Sequence, residues 1–117
     1  MKLSEVRDIL HAEVLSGEEL LDRSVFGGGG ADLMEDILAT VAKGSVLLTG
    51  VTTEQVIRTA KIAEVGAIVF VRGKKPDRNI TEMAKSYDLP LLHTRYSMFV
   101  ASGRLYMNGL RGLDGSW

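Results

Sequence analysis

The chain has 117 residues, of which 45% are hydrophobic and 25% are charged, so it suits one domain with its own core. It contains no cysteine, which excludes disulfides, thiolate metal sites, iron–sulfur ligation and a cysteine nucleophile. A net charge of −1 argues against bulk attraction to nucleic acid, and no apolar run approaches the roughly 20 residues of a membrane span. We therefore expect a cytoplasmic protein that binds neither nucleic acid nor membrane.

The first quarter of the chain contains one clear helical pattern. Apolar residues at spacings of three and four predict a helix over residues 4–11, with Ser4 as its N-cap. A brief apolar run at 12–15 stays unassigned. Residues 22–26 predict a short strand, which the four glycines at 27–30 end.

From residue 31 onward, helical and strand patterns alternate. Helices are predicted at residues 31–42, 53–64, 77–87 and 97–107, and strands at 45–49, 67–71 and 89–93. Gly44 and Gly66 are predicted to end the first two of these helices, and Ser97 to cap the last. Alternation of this kind predicts a parallel sheet with right-handed helical crossovers.

The predicted fold class is α/β, a single three-layer βα domain with a mainly parallel sheet of four to five strands. The domain is predicted to span residues 1–107. Residues 108–117 contain three glycines and little periodicity, and we expect them to form a C-terminal tail.

The carboxyl ends of parallel strands meet at one edge of a sheet, where ligands are commonly bound. Four loops are predicted to meet there, at residues 27–30, 49–53, 72–75 and 93–97. Groups that could hold a ligand are therefore expected in these loops.

The second loop is the best candidate for an anion contact. Gly50 allows close backbone approach, and Thr49, Thr52 and Thr53 carry hydroxyls beside the N–H groups of a predicted helix start, which suits phosphate. The alternative is that Thr52 or Thr53 only caps the helix. The loop lacks the pattern of a P-loop.

The third and fourth loops add charge and rings. Arg72 and Lys74 are predicted to contact phosphate, although a solvated loop is the alternative. His93, Tyr96 and Ser97 follow the last strand, where His93 or Tyr96 could meet a ring. For the histidine, the alternative is a partly buried structural role.

The glycine run at 27–30 is a weaker candidate, because Asp32, Glu35 and Asp36 follow it and would repel a phosphate there. A tight turn or close backbone packing explains it better. The residues supply no nucleophile, base and oxyanion set and no metal-ligand spacing. We therefore expect no catalytic residues, no metal and no cofactor.

Several blocks of the sequence together match a known family pattern, namely residues 21–28, 49–50, 68–76, 96–99 and 103–106. Through these blocks the chain resembles the DRTGG domain family over about residues 2–107. Ser24 stands where the family name has a threonine.

The resemblance implies a βα fold similar to the N-terminal domain of HPr kinase. DRTGG domains often accompany CBS-domain pairs in regulatory inorganic pyrophosphatases and occur in some phosphotransacetylases. There they are linked to adenine-nucleotide sensing and to dimerisation. Stand-alone copies are associated with iron-only hydrogenase systems in anaerobic bacteria.

Two functional hypotheses follow. The first is a non-catalytic regulatory module, a homodimer that senses an adenine nucleotide or another phosphorylated metabolite at the carboxyl edge of the sheet. The second is a dimerising interaction module without a small ligand, which docks to a metabolic redox enzyme such as a hydrogenase. The second is favoured by a last helix that is apolar around much of its girth, through Met98, Phe99, Val100, Leu105, Tyr106 and Met107.

Overall fold

The computed structural model describes residues 1–113 and shows one five-stranded sheet between two layers of helices. Helices α1 to α5 are Leu3–Leu10, Met34–Thr40, Glu54–Ala63, Arg78–Ser86 and Met98–Met107. Strands β1 to β5 are Glu13–Ser16, Gly28–Gly30, Val46–Thr49, Ala67–Phe70 and Leu91–His93. Within residues 1–113, none of the helices is both long and apolar enough to span a bilayer.

The sheet has the order β1-β5-β4-β3-β2, so the strands from β2 to β5 lie side by side in chain order. These four strands are parallel, and β1 pairs antiparallel with β5. Every residue of β3 and β4 is buried, as expected of apolar strands that are covered on both faces. The predicted α/β fold with a mainly parallel sheet is confirmed.

The helices divide between the two faces of the sheet. Ile37, Ile57 and Ile80 come from α2, α3 and α4 and belong to one hydrophobic cluster. Leu3 and Leu105 come from α1 and α5 and belong to the other. Both clusters take residues from the central strands, because alternate side chains of a strand point to opposite faces. The three layers follow from this division.

The prediction of a strand at residues 22–26 was wrong. In that segment only Ser24 pairs, through an isolated bridge to Lys2. The strand forms instead at Gly28–Gly30, parallel to β3. Propensity disfavours glycine in strands, so here the pairing with a buried neighbour decides the conformation.

Glycines in and beside β2 allow close packing. A Cβ at Gly28 would lie 3.0 Å from Leu110 Cδ2, and one at Gly30 would lie 3.0 Å from Met98 Sδ. The Gly28 N–H donates to the Arg111 carbonyl at 3.0 Å. The first residues of the predicted tail therefore pack against this strand, and residues 114–117 lie outside the described residues.

Several predicted helix ends differ from the observed ones. Ser4 lies inside α1, whose N-cap is Lys2, and the Lys2 N–H donates to the Glu5 carboxylate at 3.0 Å. Gly44 and Gly66 do not cap helices, because α2 ends at Thr40 and α3 ends at Ala63. The Ser97 cap is confirmed, since its hydroxyl accepts from the N–H of Val100 at 3.2 Å.

The amino edge of the sheet is held by one arginine. The Arg23 guanidinium donates to the carbonyl of Gly66 at 3.1 Å and to that of Asp88 at 3.2 Å. These carbonyls precede β4 and β5, so Arg23 ties together the starts of two neighbouring strands. The opposite, carboxyl edge carries the candidate site.

Candidate functional site

A cleft opens where the connections after β4 and β5 part. β4 leads to α4 on one face of the sheet, and β5 leads to α5 on the other. Loops that diverge in this way leave a crevice at the carboxyl ends of the strands, which is the usual ligand position in α/β sheets. A cavity of about 800 Å³ lies there, lined by Leu10, His11, Glu13, Arg72, Gly73, Lys75, His93, Thr94, Arg95 and Tyr96.

One wall of the cavity comes from the start of the chain. The antiparallel pairing of β1 with β5 places Glu13 opposite His93. The same pairing brings Leu10 and His11, at the end of α1, to the carboxyl edge. These residues were not predicted as site residues, because the apolar run at 12–15 gave no sign of which strand it would join.

The other walls are fixed to one another by hydrogen bonds. The N–H of Arg72 donates to the Tyr96 carbonyl, and the N–H of Gly73 donates to the Thr94 carbonyl, both at 2.8 Å. The Thr94 hydroxyl donates to the Leu10 carbonyl at 2.7 Å. The cavity is therefore formed before any ligand arrives, which lowers the ordering cost of binding.

The charge of the cavity lining is mainly positive. Arg72, Lys75 and Arg95 stand against one carboxylate, that of Glu13. The Glu13 Oε2 atom lies 3.1 Å from His93 Nε2 and 3.3 Å from Lys75 Nζ. These contacts, with His93 first and Lys75 second, hold the pKa of Glu13 below its ordinary value. The remaining positive charge suits an anionic ligand.

His93 is oriented by its carboxylate partner. A carboxylate only accepts hydrogen bonds, so the ring carries its proton on Nε2, towards Glu13. The other ring nitrogen, Nδ1, is buried and has no hydrogen-bond partner within residues 1–113. His93 therefore presents a fixed ring at the end of β5.

Tyr96 adds an aromatic surface beside the charges. The Arg104 guanidinium lies over its ring, 4.9 Å from the centroid, and is itself fixed by a 2.9 Å hydrogen bond to the Ile9 carbonyl. The His11 ring meets the Tyr96 ring at an interplanar angle of 89°, with centroids 6.1 Å apart. Such an arrangement of cations and rings can accept a phosphorylated compound that carries a flat base.

A second cluster lies beside the cavity, at the ends of β3 and β4. The Asp32 carboxylate accepts from the Gly50 N–H at 2.8 Å and from the Thr49 hydroxyl at 3.2 Å. Its other oxygen lies 3.8 Å from Arg72 Nη2. We call the three groups that surround the Asp32 carboxylate, from Thr49, Gly50 and Arg72, the Asp32 cradle.

The predicted site residues fall into three groups. Arg72, His93 and Tyr96 line the cavity, and Arg72 also reaches the Asp32 cradle. Thr49 and Gly50 belong to the cradle, where the Thr49 side chain is buried. The remaining predicted residues are at the same edge but do not line the cavity: Thr52, Thr53, Lys74 and Ser97.

Two of these remaining positions illustrate the alternatives that the sequence left open. Thr53 is the N-cap residue of α3, although its side chain makes no capping hydrogen bond. Lys75, one residue beyond the predicted Lys74, supplies the lysine of the cavity. A loop of consecutive charged residues does not reveal which of its side chains turns inward.

Fold and cleft together define a small α/β domain with a basic cavity at the carboxyl edge of its sheet. The sequence of residues 5–107 matches the DRTGG domain family, and the chain belongs to that family. No curated protein sequence matches this one.

Among solved structures, the chain is similar to the CBS and DRTGG domains of the regulatory region of Clostridium perfringens pyrophosphatase. The TM-score is 0.73 at 22% sequence identity, and the match covers 89% of this chain and 45% of that one. The likeness establishes the fold, and this chain spans less than half of the matched chain. That structure is a complex with the activator diadenosine tetraphosphate.

Proposed function

We propose that this chain is a non-catalytic regulatory module of the cytoplasm that binds an adenine nucleotide or another phosphorylated metabolite in the cavity. The observation that carries the proposal is the convergence of Arg72, Lys75 and Arg95 with the Tyr96 ring at the crevice between β4 and β5. Cations recognise phosphate, and an aromatic surface favours a base. The lining contains a histidine–carboxylate pair, His93 and Glu13, but no serine or cysteine nucleophile beside it.

The structural neighbour supports the class of ligand. The pyrophosphatase regulatory region that shares this fold binds an adenine nucleotide with several phosphates, in a protein that also contains CBS domains. The neighbour supports the class of ligand and not the position of the site. We expect a DRTGG-containing regulatory protein to respond to a polyanionic adenine compound.

Within the cavity, the fixed elements suggest a division of roles. Arg72 and Lys75 would contact phosphate oxygens, and Tyr96 and His93 would face the base or sugar. The surrounding loops carry the half-buried Thr52 and the exposed Thr53, Lys74 and Ser97, which would contact a longer ligand that extends beyond the cavity.

Thermal-shift and calorimetric titration with AMP, ADP, ATP and diadenosine tetraphosphate tests this proposal. A ligand at 100 times its dissociation constant is expected to stabilise the fold by about 2.7 kcal/mol. Arg72→Ala is expected to raise the dissociation constant by about five-fold or more, because a charge-assisted phosphate contact is lost. Lys43→Ala, at the opposite edge of the sheet, is the matched control and should bind as the wild type does. If none of these compounds shifts the melting temperature at millimolar concentration, the proposal is wrong.

A second candidate function is interaction with another protein, and α5 favours it. Phe99 and Met107 are 88% and 86% exposed, and Val100 and Tyr106 are exposed beside them, whereas Leu105 is buried against the sheet. An exposed apolar helix face is typical of an interface. We propose that a second copy of this chain covers it in a homodimer. Docking to a metabolic enzyme such as a hydrogenase is the alternative use of the same face.

A further inference from the structure

The carboxylate of Asp32 occupies a position that is built for an anion. A backbone N–H, a hydroxyl and a guanidinium, from Gly50, Thr49 and Arg72, converge on it. These three donor types are the ones that proteins use to hold phosphate oxygens. The Asp32 cradle thus resembles a phosphate-binding site, and the chain's own carboxylate occupies it.

Arg72 connects the cradle to the cavity. Its guanidinium folds over Gly50 so closely that a Cβ there would lie 2.1 Å from Nη2, so any larger residue at position 50 would push the arginine side chain aside. The same side chain lines the cavity. The Arg72 guanidinium can therefore contact either of two anions, the Asp32 carboxylate or a phosphate that enters the cleft.

The contact between Arg72 and Asp32 is loose. The separation of 3.8 Å is longer than a hydrogen bond, and the two side chains are 52% and 42% exposed. Ion pairs at such exposure contribute little, so the guanidinium can leave the carboxylate at little cost. The hydrogen bonds from Gly50 and Thr49 to Asp32 must be replaced by the incoming anion. A phosphate has three terminal oxygens where a carboxylate has two, and it can reach all three donors together.

We propose that the Asp32 cradle is a phosphate subsite of the cavity and that Asp32 occupies it until a ligand phosphate displaces the carboxylate. This inference rests on the proposed function of the cavity. Displacement turns Asp32 out into solvent, and Arg72, Gly50 and Thr49 then hold the phosphate. Asp32 thereby sets the affinity for anionic ligands and leaves neutral ligands unaffected.

The test is calorimetric titration of Asp32→Asn with ATP and with adenosine. Asparagine keeps the carbonyl oxygen that accepts from Gly50 and Thr49, so the fold is retained while the competing charge is removed. We expect ATP to bind this variant about five-fold more tightly than the wild type and the affinity for adenosine to stay unchanged. Glu35→Gln, on the first turn of α2, removes the same charge outside the cradle and should leave both affinities unchanged.

Two results together support displacement of the Asp32 carboxylate by phosphate. Asp32→Asn alone binds ATP more tightly, and the Gly50 amide resonance shifts when ATP is added to the wild type. Equal or weaker binding by Asp32→Asn than by a wild type that binds ATP overturns this inference and leaves the proposed function standing. An equal gain in Glu35→Gln also overturns it, because the effect would then be general charge. Absence of ATP binding in every variant, together with no melting-temperature shift of the wild type by AMP, ADP or diadenosine tetraphosphate, overturns the proposed function and the subsite together.

Discussion

The charge state of Glu13 is linked to the fold. Its carboxylate bridges His93 and Lys75, and these contacts lower its pKa. A group whose pKa is lower in the folded state stabilises the protein above its unfolded pKa, and this contribution is lost as the pH falls through the folded value. The ordinary glutamate value is 4.5, so the relevant window begins there and extends downward.

We predict that Glu13→Gln is less stable than the wild type near neutral pH and that this difference disappears on acidification below about pH 4.5. Melting temperatures of both proteins across the acid range measure it. Glu19→Gln, in the exposed turn after β1, is the control and should parallel the wild type. A stability gap that persists unchanged to the lowest pH would contradict the prediction.

The sequence predicted the cavity residues that directly follow strands and missed those that depend on pairing. Arg72, His93 and Tyr96 were found because the carboxyl ends of parallel strands share an edge. Glu13 and His11 were missed because their position follows from the antiparallel pairing of β1 with β5, a long-range contact. Asp32 was interpreted as a charge that repels phosphate, and its contact with Gly50 became visible only in three dimensions.

The turn after β1 requires a glycine. Gly17 has φ +83°, and a Cβ there would lie 2.8 Å from Pro90 Cα. Both the left-handed backbone and the close backbone neighbour exclude a side chain. This contact fixes the end of β1 against the start of β5.

We predict that Gly17→Ala destabilises the fold by about 1–3 kcal/mol, through backbone strain and the clash with Pro90. Gly103→Ala is the matched comparison, because Gly103 lies exposed within α5 and a Cβ there would meet no atom within 4 Å. That variant should gain about 0.5–1 kcal/mol from helix propensity. Urea denaturation measures both, and a Gly17→Ala protein as stable as the wild type would refute the packing argument.

At the scale of elements, sequence patterns predicted what local periodicity encodes. The central strands and the last four helices were found because their apolar residues recur at the strand or helix period. Gly28–Gly30 was missed as a strand because glycine carries no apolar pattern, and the pairing with β3 is what makes it one. Helix ends were the least predictable, since Glu64 adopts the left-handed C-cap conformation that glycine usually supplies.

At the scale of the whole molecule, two different surfaces are exposed. The carboxyl edge holds the basic cavity, and the outer side of α5 presents apolar side chains. A ligand in the cavity can influence dimerisation only if the monomer and the dimer bind it with different affinities. The loop after β5 leads directly into α5, so Tyr96 and Ser97 connect the cavity to this helix.

We predict that the wild type sediments as a dimer and that Phe99→Asp weakens the dimer by about 100-fold, because an apolar contact is lost and a charge is buried. Sedimentation velocity over a range of concentrations measures this. Ile62→Asp is the matched control, since Ile62 is 76% exposed on α3, on the opposite face, and should leave the assembly unchanged. A dimer of undiminished strength in Phe99→Asp would exclude α5 from the interface.

The antiparallel placement of β1 also bears on solubility. This four-residue strand covers the lateral backbone of β5, whose neighbour on the other side is β4. Removal of the first sixteen residues would strip that cover and leave a row of unpaired amides and carbonyls on a strand of apolar composition. Such a rim recruits strands from other molecules, so a shortened chain would be prone to aggregate even where its remaining helices still fold.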